Sequence, residues 1–434
     1  MDTKKIHLVG IGGIGISSLA QLYVHQGHMV TGTNDIPSPA TLDRVRALGV
    51  PVTIGADVKE VPEEVDMIVY SDAWLQTEPE FLEALRALGK PMLSYFEALG
   101  EATKEGTSIV VSGTHGKTST TAMVAKLLID AGKNPTVIVG SVLAEQGTNF
   151  VAGKSDLFVI EGCEYRRHFL ELHPDILVIT NIELDHTDYY TDLDDIQDAF
   201  ESAIALVPQE GTIVTDTASD TIVPVLHHAR ARVVPYQEVV VPELKVPGTF
   251  NCANAQAAKA AAYALCPALH EDDIDSSLAA FAGTWRRFEY RGTTNSGAMV
   301  YDDYAHHPTA VQGTIEAMRT TFPDKHIVVV FHPHLYSRTR SFMDAFAKAL
   351  SAADEVLLAP IYAAREALIP GVTSDMLAEK TAALGTPARA FPSLDAIYEH
   401  LTASTSPLTP DTVLITMGAG DVYHVADRLV GKRD

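Results

Sequence analysis

Short apolar runs and longer amphipathic stretches alternate along the first part of the chain. The runs over 6–9, 29–32 and 66–70 are bounded by glycine or polar residues, and a helical stretch over about 16–26 lies between the first two. A short apolar run is typical of a buried strand, whereas apolar residues at helical spacing indicate a helix with one buried face. Strands that alternate with helices predict a parallel sheet covered by helices on both sides.

The same alternation continues to the C-terminus. The alanine-rich residues 254–265 predict a buried helix, and residues 340–350 predict another, because their apolar positions fall on one face. Further strands are predicted over 108–111, 157–160, 176–179, 212–214, 298–301, 326–331, 355–359 and 412–417.

Composition argues against several classes of partner. Asp and Glu total 56 against 32 Lys and Arg, a formal net charge of −24, so we expect no binding to nucleic acid or to an anionic membrane. No apolar run is long enough to span a bilayer. Lys4, Lys5 and the run after them loosely resemble a signal peptide, but the glycine-punctuated strand–turn–helix pattern favours a folded segment. The three cysteines have neither zinc nor disulfide spacing, so we expect a reducing, cytoplasmic location.

A glycine-rich loop follows the apolar run 108–111 and precedes a helical stretch over 121–130. Backbone N–H groups of such a loop, together with the helix N-terminus, bind phosphate. Lys117 can reach the β- and γ-phosphates, and the Thr118 hydroxyl can bind Mg²⁺. The usual pattern has four residues between its glycines and this loop has two, so an ordinary βα turn is the alternative. We predict a phosphate site formed by Gly113, Thr114, His115, Gly116, Lys117, Thr118 and Ser119.

A second glycine pattern, Gly10-x-Gly12-x-x-Gly15, follows the strand predicted over 6–9. Its glycines permit a tight turn and a close approach of backbone to a pyrophosphate, and Asp35 can accept a hydrogen bond from a ribose hydroxyl. Taken alone, the pattern predicts a nicotinamide cofactor. The same geometry also binds the diphosphate of a sugar nucleotide, and a purely structural glycine turn is a third interpretation.

Length and motifs together predict the domain organisation. At 434 residues the chain is too long for one core and suggests about three domains. We predict an α/β protein with a Rossmann-like N-terminal domain over 1–105, a central P-loop mononucleotide-binding domain over 106–283 and a Rossmann-like C-terminal domain over 284–434.

Two acidic clusters, Glu-Gly-Cys-Glu over 161–164 and Asn-Ile-Glu-Leu-Asp-His over 181–186, follow predicted strands of the central domain. Ligands bind beyond the carboxyl ends of parallel strands, so both clusters should share a rim with the phosphate loop. A carboxylate and a neutral His186 can hold a second Mg²⁺ there, although imidazole is an unusual ligand for magnesium. Alternatively, Glu183 or Asp185 caps the next predicted helix.

The remaining polar sets carry weaker signals. Asn251 and Asn254 offer the donor and acceptor that an adenine edge requires, but helix capping explains them equally well. Arg286 and Arg287 follow a predicted linker, from which an arginine can reach phosphates across a domain gap. Three polar loops follow strands of the C-terminal domain, and an arginine in the second can bind a carboxylate through two bonds. Three such loops on one rim indicate a site; they cover 302–308, 332–340 and 417–421.

In order along the chain, these motifs resemble those of the Mur ligases. The resemblance covers 6–423, nearly the whole chain, and rests on Gly10-Ile-Gly-Gly-Ile-Gly-Ile-Ser17, Gly113-Thr-His-Gly-Lys-Thr118, Thr180-Asn-Ile-Glu-Leu-Asp-His186, Arg286-Arg-Phe288, Asp302-Asp-Tyr-Ala-His-His-Pro308 and Met417-Gly-Ala-Gly-Asp421. It implies that the first domain binds a UDP-sugar, the second binds ATP, and the third closes over both with an amino acid.

The resemblance also implies residue roles. Lys117 contacts the phosphates, and Thr118, Glu161 and His186 bind magnesium. Glu164 is an open alternative to Glu161, because the family's Glu-Ala-Asp-Glu-Ser-Asp run is Glu-Gly-Cys-Glu-Tyr-Arg here. The other implied roles are ATP binding by Asn251, Asn254 and Arg287, catalysis by His306, His334 and Arg338, and UDP-sugar binding by Gly10, Gly12, Gly13, Gly15, Ser17, Asp35 and Ser71.

The reaction implied by the resemblance joins L-alanine to the lactyl carboxylate of UDP-N-acetylmuramate through an acyl phosphate, with ATP and two Mg²⁺ ions, in peptidoglycan precursor synthesis. A monomer or a homodimer is expected. Many relatives have His-Arg-Tyr-Thr-Arg where this chain has His-Leu-Tyr-Ser-Arg over 334–338, so one candidate carboxylate-binding arginine is absent. The alternatives are a recycling ligase that attaches a tripeptide to the same sugar nucleotide, a nicotinamide-dependent dehydrogenase, and a nucleotide-binding regulator without catalysis.

Overall fold

The computed structural model describes residues 2–36, 39–364, 366–403 and 408–432. Within these ranges the chain forms three successive α/β units, each built on its own sheet. The predicted three-domain α/β class is confirmed. None of the helices formed by these residues has the length and apolar character needed to cross a bilayer.

The first sheet is entirely parallel, with strand order β3-β2-β1-β4-β5. Its strands are β1 Lys5–Val9, β2 Met29–Asn34, β3 Val52–Ile54, β4 Met67–Tyr70 and β5 Met92–Ser94. Its helices are α1 Ile14–His25, α2 Pro39–Ala47, α3 Trp74–Thr77, α4 Pro79–Arg86 and α5 Tyr95–Thr103. The central strand β1 is buried from its second residue onward, as its apolar run predicts.

The second sheet has the order β12-β11-β10-β6-β9-β7-β8, and only its β7–β8 edge pair is antiparallel among the described strands. Its strands are β6 Thr107–Ser112, β7 Thr136–Leu143, β8 Thr148–Val151, β9 Leu157–Glu161, β10 Ile176–Ile179, β11 Thr212–Thr215 and β12 Arg232–Pro235. Its helices are α6 Lys117–Asp130, α7 Leu193–Leu206, α8 Thr249–Leu265 and α9 Glu271–Ala280, with 3₁₀ turns at Tyr165–Glu171 and Val223–His228.

The third sheet has the order β13-β14-β18-β15-β16-β17, with β13 antiparallel to β14. Its strands are β13 Glu289–Thr293, β14 Met299–Asp303, β15 His326–Phe331, β16 Glu355–Leu358, β17 Ala388–Ala390 and β18 Thr412–Met417. Its helices are α10 Pro308–Thr321, α11 Tyr336–Ser341, α12 Met343–Leu350, α13 Ser374–Ala383, α14 Leu394–Thr402 and α15 Tyr423–Leu429.

The helix predicted over 340–350 is two helices. Its apolar face is buried as expected, but α12 begins at Met343, and Phe342 between the helices has φ −113° and ψ 19°. Phe342 lies edge-on to His307, with ring centroids 4.9 Å apart. The single-helix prediction was wrong because the Phe342 backbone leaves the helical region, a break that apolar spacing cannot reveal.

The first two units share one hydrophobic core. A single buried cluster contains Leu19 and Ala98 from the first unit and Phe150 and Phe169 from the second. The Asn149 amide nitrogen also donates hydrogen bonds across this boundary to the Ile14 carbonyl and the Ser18 hydroxyl, both at 2.6 Å. These contacts tie the glycine turn before α1 to the central unit.

Gly100 on α5 lies where the backbones of these two units approach closely. A Cβ atom at this position would lie 2.0 Å from the Glu171 carbonyl oxygen. We expect Gly100→Ala to lower the free energy of unfolding by roughly 1–3 kcal/mol, because the backbones must separate. Urea unfolding followed by circular dichroism measures the change.

Gly13→Ala is the matched control. Gly13 is exposed with φ −68°, and a Cβ there meets its nearest neighbours at 3.4 Å, so the change expected is the small loss, roughly 0.5 kcal/mol, from placing alanine at an N-cap. Equal stability of the two variants would contradict the steric argument.

Candidate functional site

The phosphate loop connects β6 to α6 and depends on two glycines with left-handed backbone. Gly113 has φ +134° and Gly116 has φ +81°. A Cβ on Gly113 would lie 2.0 Å from the Thr180 hydroxyl, and one on Gly116 would lie 2.3 Å from the Asn254 side-chain oxygen. The two-residue spacing therefore gives a tight loop that is pressed against two other segments. The first turn of α6 starts directly at Lys117, which presents helix N–H groups to an anion.

Lys117 and Glu164 form a largely buried ion pair at 2.8 Å, with side chains 16% and 1% exposed. The Lys117 ammonium also donates to the Gly113 and Thr114 carbonyls at 2.5 and 3.0 Å. Burial lowers the pKa of Lys117 and raises that of Glu164, but their mutual attraction outweighs burial, so the pKa of Lys117 is raised and that of Glu164 is lowered. Both groups stay charged at neutral pH.

The predicted magnesium residues lie around this pair. The Thr118 hydroxyl donates to Glu161 at 2.9 Å, and the second Glu161 oxygen accepts from the Gly140 N–H at 2.7 Å. His186 contacts Glu164 instead, with its Nε2 at 3.3 Å. The structure thus brings Thr118 and Glu161 together and places His186 with Glu164, so both glutamates belong to the site.

Arg287 reaches the loop from the third unit. Its guanidinium donates to the Thr118 hydroxyl at 3.1 Å. Its neighbour Arg286 is 3% exposed and is occupied by Asp302 at 2.8 Å and by the Gly418 and Gly420 carbonyls. Of the two arginines, Arg287 contacts the phosphate loop.

The two asparagines lie inside α8 rather than before it, since that helix begins at Thr249 after Gly248. Asn251 donates to the Pro247 carbonyl at 2.7 Å, while Asn254 accepts from Thr120 at 3.2 Å and lies against the phosphate loop. Both are buried. Neither side chain is the N-cap, so the capping alternative is wrong.

The segment that follows β10 contains two acidic residues, Glu183 and Asp185, that contact the third unit. Asp192 caps α7 by accepting from the Asp195 N–H, so the alternative in which Glu183 or Asp185 caps that helix is wrong. Glu183 instead accepts from the Thr309 hydroxyl at 2.6 Å. Burial raises the pKa of Glu183, but the His115 imidazole 3.5 Å away and the hydrogen bond from Thr309 lower it to about 2.

Arg338 binds a carboxylate, but one of this chain. Its Nε and Nη2 both lie 2.8 Å from Asp185 Oδ1, and the two side chains are 3% and 4% exposed. Although burial opposes it, the charge of Arg338 holds the pKa of Asp185 well below its usual range. Arg338, which we predicted to face a substrate carboxylate, therefore links the third unit to Asp185 of the second unit.

His306 and His334 lie beside this pair, with ring centroids 6.0 Å apart. His334 Nδ1 accepts from Arg338 at 3.0 Å, and burial together with the Arg338 charge lowers the pKa of His334 to about 4. Burial and the same charge also hold the pKa of His306 well below its usual range, while its Nδ1 donates to the Tyr304 carbonyl at 2.8 Å. Both rings are neutral at physiological pH, and the lowered pKa makes each a weaker base than an ordinary imidazole.

The glycine turn after β1 is shaped by a residue that the sequence did not single out. The Gly12 N–H donates to the Asn34 side-chain oxygen at 2.9 Å, whereas Asp35 is exposed and, among the described residues, accepts from the Ile36 N–H. Gly10 has φ +78°, and a Cβ there would lie 3.1 Å from Ser71. Asn34 directly precedes Asp35 at the end of β2, a position that could have identified it.

The other predicted UDP-sugar residues line the same turn. Gly13 is the N-cap of α1, Gly15 lies against the Tyr95 ring, and the buried Ser17 hydroxyl donates to the Ile14 carbonyl at 2.9 Å.

Ser119, of the predicted phosphate set, is buried in the first turn of α6. His115 donates its backbone N–H to Asn181 at 2.8 Å, and Thr114 donates its hydroxyl to the Glu183 carbonyl at 3.0 Å.

Comparisons with known proteins agree along the whole chain. Residues 5–107 match the description "Mur ligase family, catalytic domain", residues 111–238 match "Mur ligase middle domain", and residues 286–420 match "Mur ligase, glutamate ligase domain". The UDP-N-acetylmuramate–L-alanine ligase of Desulfitobacterium hafniense is 37% identical over 98% of this chain and 99% of its own length.

Solved structures show the same architecture. The UDP-N-acetylmuramate-alanine ligase of Thermotoga maritima has a TM-score of 0.79 and 26% identity, covering 99% of this chain and 98% of that one. A murein peptide ligase of Psychrobacter arcticus has a TM-score of 0.71 with 23% identity over 99% and 98% of the two chains. At that identity the second likeness shows the fold alone.

The Arg338–Asp185 pair generates a stability prediction. Arg338→Met leaves the Asp185 carboxylate buried without its partner, so we expect the free energy of unfolding to fall by roughly 3–5 kcal/mol. The double variant Arg338→Met/Asp185→Asn removes the uncompensated charge and should recover part of this loss. Urea unfolding of both variants measures the effect.

Arg428→Met is the matched control, because the Arg428–Asp395 pair is exposed and should contribute about 1 kcal/mol or less. A loss in Arg338→Met no greater than in this control would show that the buried pair does not hold the units together.

Proposed function

Because this chain belongs to the Mur ligase family, we propose that it joins L-alanine to the lactyl carboxylate of UDP-N-acetylmuramate at the expense of ATP, forming a peptidoglycan precursor. One observation carries the proposal: Arg287 of the third unit donates a hydrogen bond to Thr118 in the phosphate loop of the second. A phosphate-binding loop with an arginine supplied by another domain is an arrangement used in phosphoryl transfer, and a dehydrogenase needs neither part.

The reaction has two steps. The lactyl carboxylate attacks the γ-phosphorus of ATP, the bond from that phosphorus to the bridging oxygen breaks, and ADP leaves with the electron pair. Lys117 and Arg287 offset the negative charge that spreads over the transferred group. The L-alanine amine then attacks the acyl carbon of the acyl phosphate, and inorganic phosphate leaves from the tetrahedral intermediate.

Thr118, Glu161 and His186, with Glu164 beside them, fit a magnesium site because hydroxyl and carboxylate oxygens are the ligands that Mg²⁺ prefers. We propose two ions, one held by Thr118 and Glu161 and the other beside His186. Bound Mg²⁺ supplies positive charge to the phosphate oxygens. Glu161 is our first choice as ligand, since Glu164 is already paired with Lys117.

A neutral histidine accepts the proton that the amine loses. His306 and His334 are both neutral at physiological pH, for the reasons given above. The His306 Nδ1–H donates to a backbone carbonyl, which leaves Nε2 free to accept. His334 Nδ1 already accepts from Arg338, so we propose His306 as the base.

The proposal of L-alanine rather than a tripeptide is supported by the similarity to L-alanine ligases, and not by a residue of this chain that would select between them. Leu335 stands where many relatives have an arginine, and Arg338 is occupied by Asp185. The recycling ligase therefore remains the second candidate function. The cytoplasmic location and the monomeric or homodimeric state stay predictions.

A phosphate-release assay separates the candidates. With ATP, Mg²⁺ and UDP-N-acetylmuramate present, we expect release to depend on L-alanine, with weaker release for glycine or L-serine. Release that depends only on the tripeptide would identify the recycling ligase instead. No release with any acceptor, when ATP binding is shown by calorimetry, would contradict the ligase proposal.

Lys117→Ala should lower kcat/KM by roughly 10²–10³-fold, because a preorganised cation at the transferred phosphoryl group is lost. Lys126→Ala is the matched control on the same helix: its ammonium pairs with Asp130 and Glu145, away from the loop, and its rate should be unchanged. Steady-state kinetics at saturating Mg²⁺ measures both. Equal rates for the two variants would refute the assigned ATP site.

A further inference from the structure

Three side chains from two units converge beside the phosphate loop without belonging to the proposed magnesium set. His115 lies in the loop, Glu183 follows β10, and His307 precedes α10 of the third unit. Within the described parts of the chain, they are the group of three such residues whose ligand atoms all lie within 4.8 Å of one another. His115 Nε2 lies 3.5 Å and His307 Nδ1 lies 3.8 Å from the same Glu183 oxygen.

His115 Nε2 and His307 Nδ1 both face the carboxylate, and His307 Nδ1 is also the N-cap acceptor of α10. His307 Nε2 lies 3.1 Å from the Leu184 carbonyl, which can only accept, so this nitrogen carries the proton and Nδ1 keeps its lone pair. That lone pair has only a long contact, 3.4 Å, with the Thr309 N–H. His115 Nε2 is a buried atom without a hydrogen-bond partner, although buried polar atoms normally have one.

The surroundings have the form of a built metal site. A ligating imidazole usually donates its other N–H to a carbonyl or carboxylate, as His307 does to Leu184. The Glu183 carboxylate is oriented by the Thr309 hydroxyl at 2.6 Å. Donors of a tetrahedral zinc ion with bonds of about 2.0–2.1 Å lie roughly 3.3 Å apart, so small movements of these side chains suffice.

We propose that His115, Glu183 and His307 bind a Zn²⁺ ion that joins the second and third units. Two imidazoles and one carboxylate are a zinc donor set and a poor magnesium set. Glu183 is 34% exposed, which leaves a water molecule access to the fourth position. Because one ligand comes from the third unit, the ion binds the observed arrangement of the two units in preference to one in which they separate, and so stabilises it.

Titration with Co²⁺, a spectroscopic substitute for Zn²⁺, tests the site without requiring turnover. The metal-free full-length protein should bind one Co²⁺ with the intense visible absorption of four-coordinate cobalt, and Zn²⁺ should displace it. His307→Ala and Glu183→Gln should each weaken binding by roughly tenfold or more, since losing even a supporting group costs that much. Zn²⁺ should also raise the unfolding temperature of the wild type and not of these variants.

Matched variants of the proposed magnesium set separate the two sites. His186→Ala and Glu161→Gln remove one imidazole and one carboxylate there, and both should keep the cobalt absorption. If His186→Ala and Glu161→Gln lose the cobalt absorption while His307→Ala and Glu183→Gln keep it, the ion binds at the magnesium set and the proposal is overturned. An absence of four-coordinate absorption in the wild type would also overturn it. Circular dichroism of all four variants checks folding. If His307→Ala does not fold, the cobalt titration of Glu183→Gln alone tests the site.

Discussion

The buried Lys117–Glu164 ion pair is the interaction on which the site depends. An ammonium group taken out of water must be compensated, because an unpaired buried charge is destabilised by several kcal/mol. Glu164 supplies the compensation and is itself held by His186. The pair thereby connects the phosphate loop to the segment after β9 and to the segment after β10. An incoming phosphate can take over the role of Glu164 toward Lys117, since both are anions.

The loop has little freedom to move. Its two glycines have left-handed backbone, and any side chain there would collide with Thr180 or Asn254. Behind the loop, α8 packs closely on α6 through small residues, many of them alanine. A rigid loop of this kind places N–H groups for an anion before the anion arrives, so that binding requires little reorganisation.

The third unit completes the site through polar contacts. Arg287 reaches Thr118, Thr309 reaches Glu183, and Arg338 reaches Asp185. We expected Arg338 to face a substrate carboxylate. In the structure it binds the carboxylate of Asp185 in its own chain. A set of charge-assisted bonds can hold two domains in a defined orientation and still separate when substrates enter or products leave, because water can replace its partners.

The apolar pattern was sufficient to predict the β–α alternation and the central buried strands, since burial on both faces leaves a continuous apolar run. It did not reveal β7, although that strand is mostly buried, β12, whose residues are only partly buried, or the break at Phe342. Motif spacing likewise predicted the phosphate loop, because its backbone geometry demands glycine, whereas the choice of Glu161 and Arg287 came from the resemblance to the Mur ligases.

What the sequence determined by itself was therefore the chemistry available: a phosphate loop, carboxylates and histidines at strand ends, and a fold class that brings strand ends to one rim. Only the tertiary structure decided the partners. It paired His186 with Glu164 rather than Glu161, Arg338 with Asp185, and Asn34 rather than Asp35 with the glycine turn. The physical reason is that local pattern specifies backbone and burial, whereas the pairing of charges depends on distances between segments far apart in the chain.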